Sequence, residues 1–197
     1  MNKTDQLRMM LSQGLVNSKA IREIGIPFSL VYALVKRGEA KRISRGIYSS
    51  VNVGYSDMVD YETLAMSIPQ GVFCLISALR LHNLTDENPH ELYIAIKHGN
   101  HPPRIDHLPV CFIYRTESQF SMEIETRHSN GVPILVYSLE QTLVDCFKFR
   151  NKIGLNVAVS ALREAFFSKK VDRNKLWEIT RHCRMVQIMR PYLEVFS

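Results

Sequence analysis

Between residues 4 and 37 apolar side chains recur at helical spacing, broken at short intervals by glycine and proline. Leu7, Met10 and Leu11 fall at i, i+3 and i+4, predicting a first helix that begins near Thr4 or Asp5, either able to cap it, and ends at Gly14. Asn17 or Ser18 can cap a second helix of barely two turns, with Ala20, Ile21 and Ile24 as its apolar positions and Gly25 as its stop. Pro27 suits the first turn of a third helix, where proline loses no hydrogen bond. This helix is predicted to run to Arg37, with Val31, Leu34 and Val35 inward and Gly38 closing it. Ser29, Tyr32, Ala33 and Lys36 are left on its outward face.

Beyond Gly38 the period changes from helical to extended. Residues 40–43 and 47–50 read as two strands around the turn Ser44-Arg45-Gly46, a wing with Arg45 at its tip and Lys41 and Arg42 on its flank. Residues 1–52 are therefore expected to form a winged helix-turn-helix. The helical period is lost over 51–57, where Gly54 and Ser56 mark a link, and a second domain is expected over 58–197. It opens with a helix over 61–68 stopped by Pro69, followed by extended runs at 72–76, 92–96, 110–114, 122–126 and 132–137. Asn130-Gly131 between the last two favours a hairpin. The pattern is then helical to the end, with Leu143, Phe147, Val157, Leu162, Phe166, Leu176, Ile179, Ile188 and Leu193 as expected core. Strands first and helices after predict a mixed α+β domain behind the N-terminal module.

Charge changes the picture of the first module. The 197 residues carry a net +6, and the first fifty hold all of it, with nine Lys/Arg against three acids. Residues 51–145 have 5 basic and 12 acidic side chains, and residues 146–197 have 11 and 4, so the chain reads positive, negative, positive. A surplus of cations on one small module is the footprint of a phosphate-binding surface. Hydrophobic content of 46% excludes a disordered chain. The start, MNKTDQ, has no apolar signal core, and the longest apolar stretch, 72–78, is too short to span a bilayer, so a cytoplasmic protein without a membrane partner is expected. Cys74, Cys111, Cys146 and Cys183 stand more than thirty residues apart, which suits small buried side chains in a reducing compartment rather than a metal knuckle.

These features make double-stranded DNA the expected partner. In a helix-turn-helix module the helix after the turn lies in the major groove, and a neighbouring hairpin can lay basic side chains on the backbone or minor groove. The candidate contact residues are Ser29, Tyr32, Lys36, Arg37, Lys41, Arg42 and Arg45. With Phe28, Leu30 and Ala33 taken as outward and no Arg, Asn or Gln early in the third helix, bidentate base reading is poorly supplied, which shifts specificity to Ser29, Tyr32, thymine methyl contacts and the wing. The rival reading is a protein-binding winged-helix adaptor, which lacks the steep salt dependence of counterion release.

The second domain offers little catalytic chemistry, and no enzyme, cofactor or metal is expected. His82, His90, His98, His101 and His107 lie close in sequence, but in a Pro- and Asn-rich stretch without a frame to fix ligand geometry, so loop polarity explains them better. Lys97 ends a strand, yet the nearest acids, Asp86 and Glu91, precede it. Glu123 and Glu125 alternate on one strand with no basic partner nearby in sequence, the pattern of a solvated face. Asp145 is read as lying near the first turns of a helix, facing its positive end.

The run GIPFSLVYALVKRGEAKRISRGIYSS resembles the winged helix-turn-helix of AbiEi-type antitoxins, and Gly38-Glu39, Arg45-Gly46 and Ile47-Tyr48 carry the likeness. Ile76-Ser77-Ala78-Leu79 with His82-Asn83-Leu84 is similar to the family's strand leading into a short helix. Val136-Tyr137-Ser138 with Thr142-Leu143-Val144-Asp145 is similar to its later strand-to-helix segment ending in T-L-x-D. The resemblance implies a two-domain regulator that represses its own toxin–antitoxin operon and counters a nucleotidyltransferase-like toxin through its C-terminal domain, without a stable complex. It also directs attention to the basic C-terminal helices as the antitoxic surface: Arg163, Lys169, Lys170, Arg173, Lys175, Arg181 and Arg184. The own promoter, with inverted repeats suiting a dimer or two cooperating monomers, is the implied DNA target.

Overall fold

The computed structural model describes residues 2–54, 57–85, 90–106 and 108–195, so that Ser56, Asp86 and His107 lie outside the described residues. Helix α1 (Lys3–Ser12) starts earlier than the pattern suggested. Asn2, not Thr4 or Asp5, is the cap, its Oδ1 accepting the Asp5 N–H at 2.8 Å and so satisfying a donor the helix leaves unpaired. After β1 (Val16–Asn17), Asn17 caps α2 (Ser18–Glu23) through the Ala20 N–H at 2.8 Å. Gly25, at φ 70°, ends it and lets the Ile26 N–H reach the Ile21 carbonyl at 3.2 Å. Pro27 is the residue before the first turn of α3 (Phe28–Lys36) rather than within it. Gly38, at φ 71°, closes α3 as expected, with the Glu39 N–H bonded to the Leu34 carbonyl at 3.0 Å.

Strands β2 (Ala40–Ser44) and β3 (Ile47–Ser50) form the expected hairpin, and β1 adds to its far side, giving a three-stranded antiparallel sheet in the order β1-β3-β2. A two-residue strand leaves no period to read, which is why β1 went unseen. Leu7, Leu11, Val16, Ile21, Ile26, Val31, Leu34, Ala40 and Tyr48 close the module's core. Four of the expected stripe positions are not fully inward: Ile24 is exposed, and Met10, Ala20 and Val35 are half-buried.

The chain divides into two compact units, residues 1–69 with 127–134, and residues 70–126 with 135–197. Helix α4 (Val59–Ser67) belongs to the first unit, where buried Glu62 accepts from Ser129 Oγ at 2.5 Å and Asn130 Nδ2 at 2.8 Å. Glu62 thereby ties α4 to the turn at 129–130 within that unit.

A second sheet has the order β6-β5-β4-β8-β7. Its strands are β4 (Val72–Phe73), β5 (Leu92–Lys97), β6 (Val110–Arg115), β7 (Ile124–Ser129) and β8 (Val132–Tyr137). It is mixed: β4 is antiparallel to β5 and parallel to β8, and β5 is parallel to β6. The apolar run 72–76 is a strand for only two residues, because Leu75, at φ 50°, turns the chain into α5 (Leu75–Leu81). Glu123, at φ 54°, likewise delays β7 to Ile124. Asn130 and Gly131, at φ 47° and 78°, make the left-handed two-residue turn that the dipeptide favours. Helices do not all follow the strands, since α4, α5 and the short α6 (Glu117–Phe120) interleave with them.

The closing helices are α7 (Leu139–Lys148), α8 (Arg150–Ile153), α9 (Leu155–Phe167), α10 (Arg173–His182) and α11 (Val186–Glu194). Leu143, Phe147, Leu162, Leu176, Ile179 and Leu193 are buried as expected, and Val157, Phe166 and Ile188 pack half-buried at the edge of that core. Cys74 and Cys146 are buried in it, while Cys111 and Cys183 are half-buried, and all four are unbridged. Among the described residues no helix is long and apolar enough to cross a membrane.

Candidate nucleic-acid interface

The glycine and aromatic positions of the first module have local physical causes. Gly46 stands at φ 77°, and a Cβ there would lie 3.0 Å from Ser18 Oγ, so the hairpin turn can approach the start of α2 only without a side chain. The approach is fixed by the Ser18 N–H, bonded to the Gly46 carbonyl at 2.7 Å. Tyr48 is buried, and Phe28 lies edge-on to it at 5.8 Å between ring centroids, binding the first turn of α3 to β3. Phe28 and Leu30 are consequently half-buried against the core and not outward as expected. Lys3 Nζ donates to the Gly25 carbonyl at 2.7 Å, closing the turn between α2 and α3.

On α3, Ser29, Tyr32 and Lys36 follow at i, i+3 and i+7, which puts them on one face. All three are exposed, Tyr32 to 63%, with Ala33 half-buried beside them. Arg37 is exposed just past the helix end. In the hairpin Arg42 and Arg45 are exposed and Lys41 is half-buried. A register shift between Arg42 and Ser44 marks a bulge, where Arg42 Nε donates to the Ser44 carbonyl at 3.2 Å, holding that side chain along the strand.

The module's three carboxylates are all engaged by other cations. Arg8 Nε meets Glu39 at 2.8 Å and Arg8 Nη1 meets Asp5 at 3.3 Å, while Lys19 meets Glu23 at 3.9 Å. The hydrogen bond from Arg8 holds the Glu39 carboxyl below its ordinary pKa, and the same contact raises that of Arg8. Among the described residues no carboxylate lies within 4 Å of Lys36, Arg42 or Arg45, so their charge is left to the solvent face. The Gly38-Glu39 dipeptide thus has two jobs: glycine ends α3 and glutamate ties the following strand to α1.

Other candidates are dispersed. Lys175 meets Glu123 at 2.6 Å and Glu140 at 3.8 Å, so Glu123 is paired and not on a solvated face. Lys170 Nζ donates to the Asn83 carbonyl at 3.2 Å, and Arg173 lies over the Phe166 ring at 5.2 Å. Arg163, Lys169, Arg181 and Arg184 are exposed. Arg181 borders one cavity and Arg184 another.

Among the described residues no three His, Cys, Asp or Glu side chains gather as a metal ion would need. His82 is buried, with Nε2 2.8 Å from the Tyr137 carbonyl, which makes it a core residue and not loop polarity. His90, His98 and His101 are exposed, and Lys97 pairs with Glu117 at 2.6 Å. Asp145 is the seventh residue of α7, far from its N-terminus, and fully buried. Its partners are Arg115 Nη2 at 2.6 Å and Gln141 Nε2 at 3.0 Å. Sequence reading missed Arg115, because only the β5–β6 pairing brings the end of β6 under α7.

Residues 5–51 match the family described as transcriptional regulator, AbiEi antitoxin, a segment confined to the N-terminal module. No curated protein matches the chain. The match agrees with the likeness seen in Gly38-Glu39, Arg45-Gly46 and Ile47-Tyr48, so that over residues 5–51 the N-terminal module is similar to AbiEi antitoxins and transcriptional regulators.

Proposed function

We propose that this chain is a sequence-specific DNA-binding repressor of its own toxin–antitoxin operon. Residues 1–52 act as a winged helix-turn-helix, with α3 in the major groove and the β2–β3 hairpin against the backbone or minor groove. Ser29 and Tyr32 touch bases, and Lys36, Arg37, Lys41, Arg42 and Arg45 touch phosphates. The observation that carries this reading is the partition of charge: the module's carboxylates are engaged by Arg8 and Lys19, while Lys36, Arg42 and Arg45 remain without a carboxylate among the described residues. The family match supports the regulatory role.

The remainder of the chain is proposed to counter a nucleotidyltransferase-like toxin without a stable complex. Of its basic candidates, Arg163, Lys169, Arg181 and Arg184 suit that role better than Lys170, Arg173 and Lys175, which serve the fold.

Fluorescence anisotropy with duplex from upstream of the chain's own gene, against a shuffled duplex, tests the reading over a range of salt. Preference for the native duplex is expected, with Lys36→Ala and Arg45→Ala each flattening the log–log salt slope by about one. Equal, weak binding to both duplexes, unmoved by either substitution, would leave the docking adaptor as the better account.

A further inference from the structure

A cavity of about 300 Å³ opens beside the buried Arg115–Asp145 pair of the second unit. Arg115, Gln141, Asp145, Lys148, His182 and Arg184 are among its walls. Arg115 is 4% exposed and Gln141 1%. Each spends part of its bonding capacity on Asp145, Arg115 through Nη2 and Gln141 through Nε2. What remains is unmatched: Arg115 Nε and Gln141 Oε1 are buried without a hydrogen-bond partner among the described residues. Native proteins rarely leave such atoms bare, and both belong to residues that line this cavity.

Geometry and charge narrow the class. The Arg115 guanidinium lies over the Tyr137 ring at 4.7 Å and 6.0 Å from the centre of Phe149, which fixes its plane. The left-handed turn after α10, with Arg184 at φ 56°, sets that side chain at the cavity. Lys148, exposed near the end of α7, is the third cation. Three cations against one carboxylate leave a surplus of two positive charges. A hydrogen phosphate dianion matches that surplus and offers acceptors to the cations of Arg115, Lys148 and Arg184, with one O–H to spare. A phosphate monoester does the same when its organic part supplies the hydroxyl, and the cavity is at the small end of the range that holds organic ligands.

We propose that this cavity binds a phosphate group, as free phosphate or as the monoester of a small hydroxylated metabolite. The site stands apart from the DNA-binding reading and does not depend on it. Calorimetric titration of the full chain with sodium phosphate, against sodium chloride at matched ionic strength, should give saturable one-site binding. Lys148→Ala/Arg184→Ala, at two exposed positions, should weaken it at least tenfold, and Lys36→Ala/Arg45→Ala should leave it unchanged. Ribose 5-phosphate binding tighter than phosphate would identify the ester as the source, and the reverse order would identify the free ion. No binding beyond chloride, binding unchanged in Lys148→Ala/Arg184→Ala or lost in Lys36→Ala/Arg45→Ala, or equal binding of the dicarboxylate malonate would overturn the assignment.

Discussion

Single residues fix the geometry of both units. Gly46 combines a left-handed backbone with a 3.0 Å approach to Ser18, so Gly46→Ala should lower stability by about 1–2 kcal/mol in chemical denaturation and weaken DNA binding by displacing Arg45. Glu39 reports on the α1 tie through its lowered pKa. A depressed carboxylate stabilises the fold above its unfolded value of 4.5 and ceases to as pH falls through the folded one. The stability gap between wild type and Glu39→Gln should therefore be present at neutral pH and close in acid, as urea titrations across that range would read. Asp145 behaves oppositely. Burial pushes the Asp145 carboxyl above its ordinary 3.8, against the pull of Arg115 and Gln141, so its charged form is costly and its effect on stability worsens as pH rises from 3.8 through the raised value. Arg115→Met should cost about 3–5 kcal/mol at pH 7, recovered in part at lower pH, and Arg115→Met/Asp145→Leu should regain most of it. A double variant no more stable than Arg115→Met would show that the pair matters for packing and not for charge compensation.

Within the first module α2 is the shortest helix, and it leads into α3. Six residues make too little helix to stand on propensity, so its start depends on the Asn17 side chain and its end on Gly25. Asn17→Ala should cost about 1 kcal/mol, visible as a lower denaturation midpoint at unchanged slope. Sequence periodicity found α1, α2 and α3 because each buries a stripe whose spacing survives in the order of residues. Their caps were less legible: Asn2 precedes the first apolar position by five residues, and Asn17 and Ser18 are adjacent equals until the backbone decides between them. The β2–β3 hairpin was legible from Gly38 and the Ser44-Arg45-Gly46 turn, and β4 from the apolar run at 72–76, whereas β1, two residues long, became a strand only by pairing with β3.

At the scale of the whole molecule, one apolar core of the described residues lies within the first module and another under the closing helices. Leu34→Ala, in the first of them, should cost about 2–5 kcal/mol locally. Hydrogen exchange should then show faster exchange through α1, α3 and β3 while the amides of β5 and α7 keep their protection. Uniform loss across the chain would mean the two cores unfold as one. The positive surplus of the first fifty residues is likewise a whole-module property, since Lys36, Arg42 and Arg45 count toward a phosphate surface only because Arg8 and Lys19 engage the acids elsewhere.

The order of residues by itself determined three helices and a hairpin at the start, an α+β remainder, and where positive charge accumulates, because local period, turn chemistry and charge are written at short range. It also held the motif residues that carry the likeness of residues 5–51 to AbiEi antitoxins. Tertiary structure alone decided that Asp145 meets Arg115 thirty residues away, that Glu123 meets Lys175, and that Gln141, Lys148 and Arg184 gather around one cavity. Those contacts depend on strand order and helix packing. Neither leaves a signal in the spacing of the residues they bring together.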